Sequence, residues 1–134
     1  MRTIPSSELI INADGSIFHL HLRPEQLADI VILVGDPGRV AMIADYFDTK
    51  ECEISNREFL TVTGTYKGKR MTVMSTGIGI GNIDICVTEL DALANIDFET
   101  RQVKDTFRQL TLVRLGTSGA IQRDIEVGEV VFSR

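Results

Sequence analysis

The sequence predicts an α/β fold with a central sheet, mostly parallel or mixed, that is flanked by helices. Three times along the 134-residue chain, a short apolar strand is followed by a loop of small residues, beginning at Gly35, Gly77 and Gly116. The first two loops lead into segments whose apolar residues recur at helical spacing. Strands that alternate with helices are typical of α/β architecture. Ligands in such sheets bind beyond the carboxyl ends of the strands, so the three loops are expected to face one crevice.

Composition and charge narrow the class of function. The 14 Lys and Arg against 19 Asp and Glu give a net charge of −5, which argues against a general nucleic-acid binder but allows a local basic pocket. No apolar run approaches the roughly 18 residues that span a bilayer, and the N-terminus does not resemble a secretion signal. Cys52 and Cys86 form no metal-ligand pattern. We therefore expect a cytoplasmic protein with reduced thiols and no membrane partner.

The first third of the chain is predicted to contain an arm, a lead-in and one strand. Residues 1–16 are polar and irregular, and we expect an N-terminal arm ahead of one domain over residues 17–134. Apolar residues alternate with histidines over 17–22, which predicts a short strand or an extended lead-in. A turn or a helical turn is expected at Pro24. The continuous apolar run 29–34 predicts a strand covered on both faces, as in a parallel sheet.

A helix and a hairpin are predicted next. Apolar residues from Val40 to Phe47 recur at helical spacing. Residues 51–64 alternate loosely, and the glycine-containing turn 65–69 predicts a hairpin that leads into a strand over 71–75.

The second half of the chain is predicted to continue the α/β pattern. A helix of three or more turns is expected from Ile83, followed over 95–109 by an exposed connection, with or without a helical piece. Strands are expected over 110–116 and 130–133. Because the chain stops directly after a strand that should need a covering element, we expect the N-terminal portion of a larger domain.

The loop 35–39, Gly-Asp-Pro-Gly-Arg, is the first candidate ligand site. A glycine at the end of a strand lets the backbone approach a ligand closely. Arg39 stands at the start of the following helix, where free N–H groups and the helix dipole favour an anion. Its planar guanidinium matches the geometry of a phosphate. A tight turn with a surface arginine is the structural alternative.

Arg114 is the second candidate because it lies within an apolar strand. Burying a charge costs free energy unless the charge is paired. Hydroxyls and glycines follow it, so a bound phosphate is one possible partner. The other is a buried ion pair with Asp36 or Glu58.

The glycine-rich loop 75–82 invites comparison with a dinucleotide-binding fingerprint. Asn82 stands where that fingerprint requires its third glycine, so the match fails. We interpret the loop as one that lets strand ends and a sugar or anion pack closely.

Isolated polar residues have ordinary structural interpretations. His19 is compatible with a satisfied structural or surface histidine, and Arg57 with Glu58 is compatible with a solvated ion pair. No Ser-His-Asp or Cys-His order and no metal-ligand cluster is evident in the sequence.

Four segments, in their order and spacing, resemble the uridine phosphorylase branch of the nucleoside phosphorylase family: GDPGRV (35–40), NREF (56–59), STGIG (75–79) and RLGTSGAIQ (114–122). FHL at 18–20 also fits, so the resemblance covers residues 17–134. It implies the three-layer α/β sandwich of that family. It also implies a pentosyltransferase that reversibly converts a pyrimidine nucleoside and phosphate into the free base and ribose 1-phosphate.

The resemblance assigns a phosphate site to this chain. Gly35 and Arg39 match one phosphate-binding loop, and Arg114 and Thr117 match a second segment, with Thr117 also near the ribose. Arg39 and Arg114 would be the catalytic residues. No cofactor is implied, since inorganic phosphate is the co-substrate. Three arginines around a phosphate, with Arg57 as the third, favour phosphorolysis over the hydrolysis performed by nucleosidases of the same fold.

The resemblance also implies a homo-oligomer, built from dimers and hexameric in the family. Arg57 would bind phosphate in the neighbouring subunit, and His19 would reach the neighbour's ribose 5′-hydroxyl. Glu58 and Ile78 match positions that hold a monovalent cation between subunits. The family often has Gly-Pro-Ser where this chain has Ile-Gly-Asn at 80–82.

Other functions share these features. Family members are considerably longer, so the residues that recognise the base are not assigned here, and we expect the 134-residue chain alone to be inactive or nearly so. The alternatives are a non-catalytic phosphate- or nucleotide-binding module, a purine nucleoside phosphorylase, and a nucleosidase of the same fold.

Overall fold

A computed structural model describes residues 2–133 and contains a five-stranded mixed sheet. Its strands are β1 (Ile30–Val34), β2 (Thr49–Asn56), β3 (Phe59–Tyr66), β4 (Lys69–Ser75) and β7 (Thr111–Arg114). They lie in the order β2-β3-β4-β1-β7. β1 pairs in parallel with β4 and β7, whereas β2, β3 and β4 form an antiparallel meander. The predicted α/β class with a mixed sheet is confirmed.

Helices cover both faces of this sheet and give three layers. Side chains alternate along β1, so Val34 packs in a cluster with α1 (Pro37–Ala44), whereas Val31 and Leu33 pack in a second cluster with α2 (Ile80–Asn95). The N-terminal segment shares the second cluster. β1 is therefore covered on both faces, as its uninterrupted apolar run predicts.

Both helices begin earlier than predicted. The Asp36 carboxylate caps α1 by accepting a hydrogen bond from the Gly38 N–H at 2.8 Å, and Pro37 takes the first helical position. α2 begins at Ile80, directly after Gly79. No helix among residues 2–133 has the length and apolar character needed to cross a membrane.

The segment 17–22 is a turn, and the predicted strand is wrong there. Ile17 forms an isolated bridge with Ile11, and its N–H donates to the carbonyl of Leu22 at 2.8 Å. His21 has a φ of 53°, which reverses the chain direction. The predicted helical turn is confirmed as one 3₁₀ turn over Pro24–Gln26.

The predicted exposed connection over 95–109 begins at the last residue of α2 and contains a small hairpin, and no further helix forms over residues 96–109. Strands β5 (Ile96–Asp97) and β6 (Gln102–Val103) pair antiparallel. The Asp97 carboxylate accepts hydrogen bonds from the N–H groups of Glu99 at 2.8 Å and Thr100 at 2.9 Å. This Asx-type turn reverses the chain between the two strands.

The strand predicted over 130–133 does not form over the described part of that segment, which ends at Ser133. Val130 and Phe132 are 78% and 85% exposed, and no strand among residues 2–133 pairs with them. β-branched residues favour a strand only where a neighbouring strand and a covering layer accept them.

The buried side chains of Thr63 in β3 and Thr72 in β4 are joined in a chain of hydrogen bonds. The Ala28 N–H donates to the Thr72 hydroxyl at 3.0 Å, the Thr72 and Thr63 hydroxyls lie 2.8 Å apart, and Thr63 donates to the Gln26 carbonyl at 2.7 Å. The buried hydroxyl of Thr61 has no hydrogen-bond partner among the described residues. The two environments provide a matched pair for mutagenesis.

Candidate active site

A cleft of about 930 Å³ opens at the carboxyl ends of β1, β4 and β7. Residues that line it come from all three strand ends and from the β2–β3 turn, and include Gly35, Arg39, Glu58, Gly77, Ile78 and Arg114. Parallel strands end at the same edge of a sheet, so their loops converge there. The prediction that three loops face one crevice is confirmed for the first two loops. It is wrong for the third, because only Arg114 of that segment lines the cleft, whereas Ser118, Gly119 and Ala120 line a separate cavity.

Backbone hydrogen bonds join the first two loops. The Gly77 N–H donates to the Gly35 carbonyl at 2.9 Å. Gly77 has a φ of 68°, and a Cβ there would lie 2.8 Å from Glu58 Cγ and 2.9 Å from Asn82 Nδ2. Its backbone conformation and this close approach both require glycine. The rim of the cleft is thereby fixed against the β2–β3 turn.

Arg39 lies half-buried in the first turn of α1. The backbone donors beside it already have partners. The Gly38 N–H donates to the Asp36 carboxylate at 2.8 Å, and the Arg39 N–H donates to the Asp36 carbonyl at 3.1 Å. The expected free N–H groups are therefore occupied at these positions. The guanidinium of Arg39 is the group available to an anion in the cleft.

Arg114 is exposed, which corrects the expectation of a buried charge. No ion pair joins it to Asp36 or Glu58 or to any other acidic side chain of residues 2–133. The reason is that β7 is the edge strand of the sheet, and all four of its residues are exposed. Its guanidinium folds back against Gly116, where any Cβ would collide with it.

Glu58 is one of two acidic residues that line the cleft, together with Asp36. Its own backbone N–H and the Asn82 side-chain amide, which donates at 2.7 Å, lower the pKa of its carboxyl, with smaller contributions from the charges of Arg57 and His19. The carboxylate is thus ionised at neutral pH. Asn82 had no assigned role in the sequence beyond breaking the glycine fingerprint.

The same Asn82 nitrogen also donates to the carbonyl of Ile78, at 3.3 Å. One amide with two hydrogens therefore bridges Glu58 and Ile78, the two residues that the resemblance assigns to a monovalent cation. No cluster of three or more His, Cys, Asp or Glu suited to a metal occurs in the part of the chain described. The assignment of Glu58 and Ile78 to a monovalent cation between subunits stays a prediction.

Three predicted site residues lie outside the cleft of their own chain. Arg57 is exposed, in the β2–β3 turn with a φ of 54°. Thr117 is exposed beyond β7. His19 lies beside α2, where its Nδ1 is 2.6 Å from a carboxylate oxygen of Glu89. Glu89 is 70 residues from His19 along the chain, so no local pattern could predict this pair.

Comparison with known proteins identifies the family. The family model described as the phosphorylase superfamily matches residues 29–134. The chain belongs to this superfamily. It is 38% identical over 116 residues to a DeoD-type purine nucleoside phosphorylase of Anoxybacillus flavithermus, an alignment that covers 86% of this chain and 44% of the relative. The chain thus spans less than half the length of the curated relatives it matches.

Solved structures of nucleoside phosphorylases share the fold. A Trypanosoma brucei nucleoside phosphorylase described as showing uridine phosphorylase activity superposes with a TM-score of 0.79 at 37% identity, covering 88% of this chain and 41% of that one. Uridine phosphorylase from Vibrio fischeri gives a TM-score of 0.69 at 32% identity, covering 83% of this chain and 41% of that one. The resemblance to nucleoside phosphorylases and the three-layer fold it implies are confirmed.

Proposed function

We propose that this chain provides the phosphate-binding half of a nucleoside phosphorylase active site. The reaction is the reversible phosphorolysis of a nucleoside to the free base and ribose 1-phosphate. The observation that carries the proposal is the meeting of Arg39 and Arg114 in one cleft at the carboxyl ends of parallel strands. Neither guanidinium has an ion-pair partner within residues 2–133, so both can bind an anion.

Phosphorolysis requires the protein to position the phosphate and to stabilise charge, because phosphate itself is the nucleophile. Phosphate oxygen attacks C1′ of the ribose as the bond to the base breaks, and the sugar passes through an oxocarbenium-like state. Arg39 and Arg114 act as catalytic residues because they hold the attacking phosphate by charge-assisted hydrogen bonds. This orientation lowers the barrier by aligning the reactants and by stabilising charge in the cleft.

Gly35 leaves space for the phosphate. A Cβ at this position would meet only the Gly77 carbonyl oxygen, at 3.6 Å, which is an ordinary contact. The fold itself therefore tolerates a side chain at Gly35. Close approach of a ligand to this backbone is the reason for a glycine here.

The charge balance of the cleft supports an oligomeric site. Arg39 and Arg114 are offset by Asp36 and Glu58 among the lining residues, so these four side chains carry no net formal charge. A phosphate dianion needs further positive charge. Arg57 is exposed and does not line the cleft of its own chain, so Arg57 of a second copy would supply it. We infer a dimer as the minimal unit, and a hexamer built from dimers.

The ribose contacts are proposed on the same basis. Thr117 lies three residues beyond Arg114, the last residue of β7, and in the bound state it would contact phosphate and ribose. His19 would reach the ribose 5′-hydroxyl in the neighbouring copy.

We propose a pyrimidine nucleoside, uridine, as the substrate. The segment TSGAIQ at 117–122 and the similarity to uridine phosphorylase structures support this choice.

A purine nucleoside is the second candidate, because the similar curated relatives are purine nucleoside phosphorylases. In an enzyme completed by the base-binding half, release of uracil from uridine or of hypoxanthine from inosine separates the two, and dependence on phosphate separates phosphorolysis from hydrolysis. We expect the 134-residue chain alone to be inactive or nearly so, and a measurable rate from it would contradict this expectation.

Titration calorimetry with inorganic phosphate tests the half-site itself. Arg39→Ala and Arg114→Ala should each weaken binding about ten- to a hundredfold, the range of a hydrogen bond to a charged group. Arg23→Ala is the matched control, since Arg23 is an exposed arginine that does not line the cleft. Equal affinity in all four proteins, or no binding to the unmodified chain, would contradict the proposal.

A further inference from the structure

The Glu89 carboxylate is hydrogen-bonded to both the ring and the backbone of His19. Its carboxylate, on α2, accepts hydrogen bonds from the His19 ring Nδ1 at 2.6 Å and from the backbone N–H groups of His19 at 3.1 Å and Leu20 at 2.9 Å. The Glu89 side chain is only 12% exposed. A carboxylate that is largely shielded from water gives strong, well-oriented hydrogen bonds.

Asn56 and Phe18 also contact His19, at its backbone carbonyl and at its ring. The Asn56 side-chain amide donates to the His19 carbonyl at 2.7 Å, and the Phe18 ring packs edge-on with its centroid 4.8 Å from that of the imidazole. The peptide groups on both sides of the residue and one ring nitrogen are therefore fixed. The ring Nε2 has no hydrogen-bond partner within residues 2–133.

The chemistry of the acceptor determines which ring nitrogen carries the proton. An ionised carboxylate can only accept hydrogen bonds, so Nδ1 must be the protonated nitrogen when the imidazole is neutral. Nε2 then presents a lone pair. Free imidazole side chains in water prefer the opposite tautomer, with the proton on Nε2. The contact with Glu89 thus makes Nε2, the other ring nitrogen of His19, an acceptor.

We propose that Glu89 is a positioning residue that fixes His19 as its Nδ1–H tautomer, so that Nε2 accepts a hydrogen bond from the ribose 5′-hydroxyl in the neighbouring copy. This inference rests on the proposed function for its ligand, but not for the state of the ring. With the ring held in this tautomer, the 5′-hydroxyl must act as the donor. A 5′-O-alkyl sugar has no hydrogen to donate and is disfavoured.

Glu89→Gln should invert the tautomer. Both carboxylate oxygens lie within reach of backbone donors, but only one faces the ring at 2.6 Å. The single oxygen of the carboxamide satisfies the backbone N–H groups of His19 and Leu20, and its NH₂ group then faces Nδ1. Nδ1 must become the acceptor, and Nε2 carries the proton.

Nitrogen-15 NMR of the His19 ring, at a pH where the ring is neutral, reports the tautomer directly. The unmodified chain should show protonated Nδ1 and bare Nε2, and Glu89→Gln should exchange the two signals. Asp84→Asn is the control, because it removes a carboxylate from the same helix and from the same small cavity beside His19 without touching the ring. Protonated Nε2 in the unmodified chain overturns the proposal and needs no variant to show it.

Calorimetry with ribose 1-phosphate and its 5-O-methyl ether tests the ligand. The unmodified chain and Asp84→Asn should bind the free sugar phosphate about two- to tenfold more tightly than the ether, the range that one neutral hydrogen bond supplies. Glu89→Gln and His19→Ala should lose this preference. If the preference survives in both, or if the unmodified chain binds neither sugar, the ribose assignment is overturned. The NMR result distinguishes that failure from a wrong tautomer.

Discussion

Replacing Gly77 by alanine perturbs the point where the glycine-rich loop meets the β2–β3 turn. A Cβ at this position would lie 2.8 Å from Glu58 Cγ, 3.2 Å from Glu58 Cβ and 2.9 Å from Asn82 Nδ2. The Glu58 side chain must rotate, and its 2.7 Å hydrogen bond with Asn82 is lost or lengthened. The backbone must also keep its φ of 68°, which alanine adopts only with strain.

The strain sets the scale of the effect. A non-glycine residue held in the left-handed region costs about 1–3 kcal/mol, so Gly77→Ala should lower the free energy of unfolding by that amount. Urea unfolding followed by circular dichroism measures it, with an unchanged dependence on urea concentration showing that the unfolded state is the same.

Gly81→Ala is the matched control for this experiment. Gly81 lies in α2, and a Cβ there meets nothing within 4 Å. This alanine should stabilise the chain by about 0.5–1 kcal/mol because it favours the helix. If Gly77→Ala proves as stable as Gly81→Ala, the reasoning about the loop conformation is refuted.

A glycine that lines the cleft, two buried threonines and a buried cysteine each give a further prediction. Gly35→Ala should leave the free energy of unfolding unchanged and weaken phosphate binding, which urea unfolding and calorimetry measure together; a loss of stability would contradict the open space seen at this glycine. Thr72→Val should destabilise the chain by about 1–3 kcal/mol because it leaves the buried Ala28 N–H without a hydrogen-bond acceptor. Thr61→Val removes a hydroxyl that has no partner within residues 2–133, so it should be neutral or stabilising in the same urea assay. Burial raises the pKa of the Cys86 thiol from 9.0 to about 12. The buried neutral thiol therefore contributes its full stability below pH 9, and this contribution is lost as the pH rises toward 12. Thiol reagents should label Cys52 in the native chain and Cys86 only after unfolding, and labelling of Cys86 first would contradict its burial.

Local sequence patterns predicted the layers of the fold because those patterns carry a local cause. The apolar run at 30–34 has no polar face, and only a strand covered on both sides accommodates such a run. Apolar spacing predicts both helix starts too late, because this spacing begins only inside the helix. Asp36 followed by Pro37 was the capping signal for the true start of α1.

Other features depend on interactions between distant parts of the chain, which local patterns do not carry. The residues over 130–133 have strand propensity, but a strand forms only where a neighbour pairs with it. Arg114 was expected to be buried because its strand is apolar, yet the position of β7 at the sheet edge decides its exposure. The link between Glu89 and His19 joins residues 70 apart, and only the packing of α2 against the N-terminal turn creates it.

The central claim is a phosphate site shared between copies, with Arg39 and Arg114 from one chain and Arg57 from its neighbour. Mixed dimers of an Arg39→Ala chain and an Arg57→Ala chain test it most directly. One site of each mixed dimer would carry both substitutions, and the other would carry neither.

Phosphate stoichiometry after random subunit exchange is the deciding measurement. With equal amounts of the two chains, half the dimers are mixed, so about a quarter of all sites should regain tight binding. The pure variants should show none. No recovery in the mixture, or a chain that remains monomeric while binding phosphate tightly, would contradict a site that is completed across the interface.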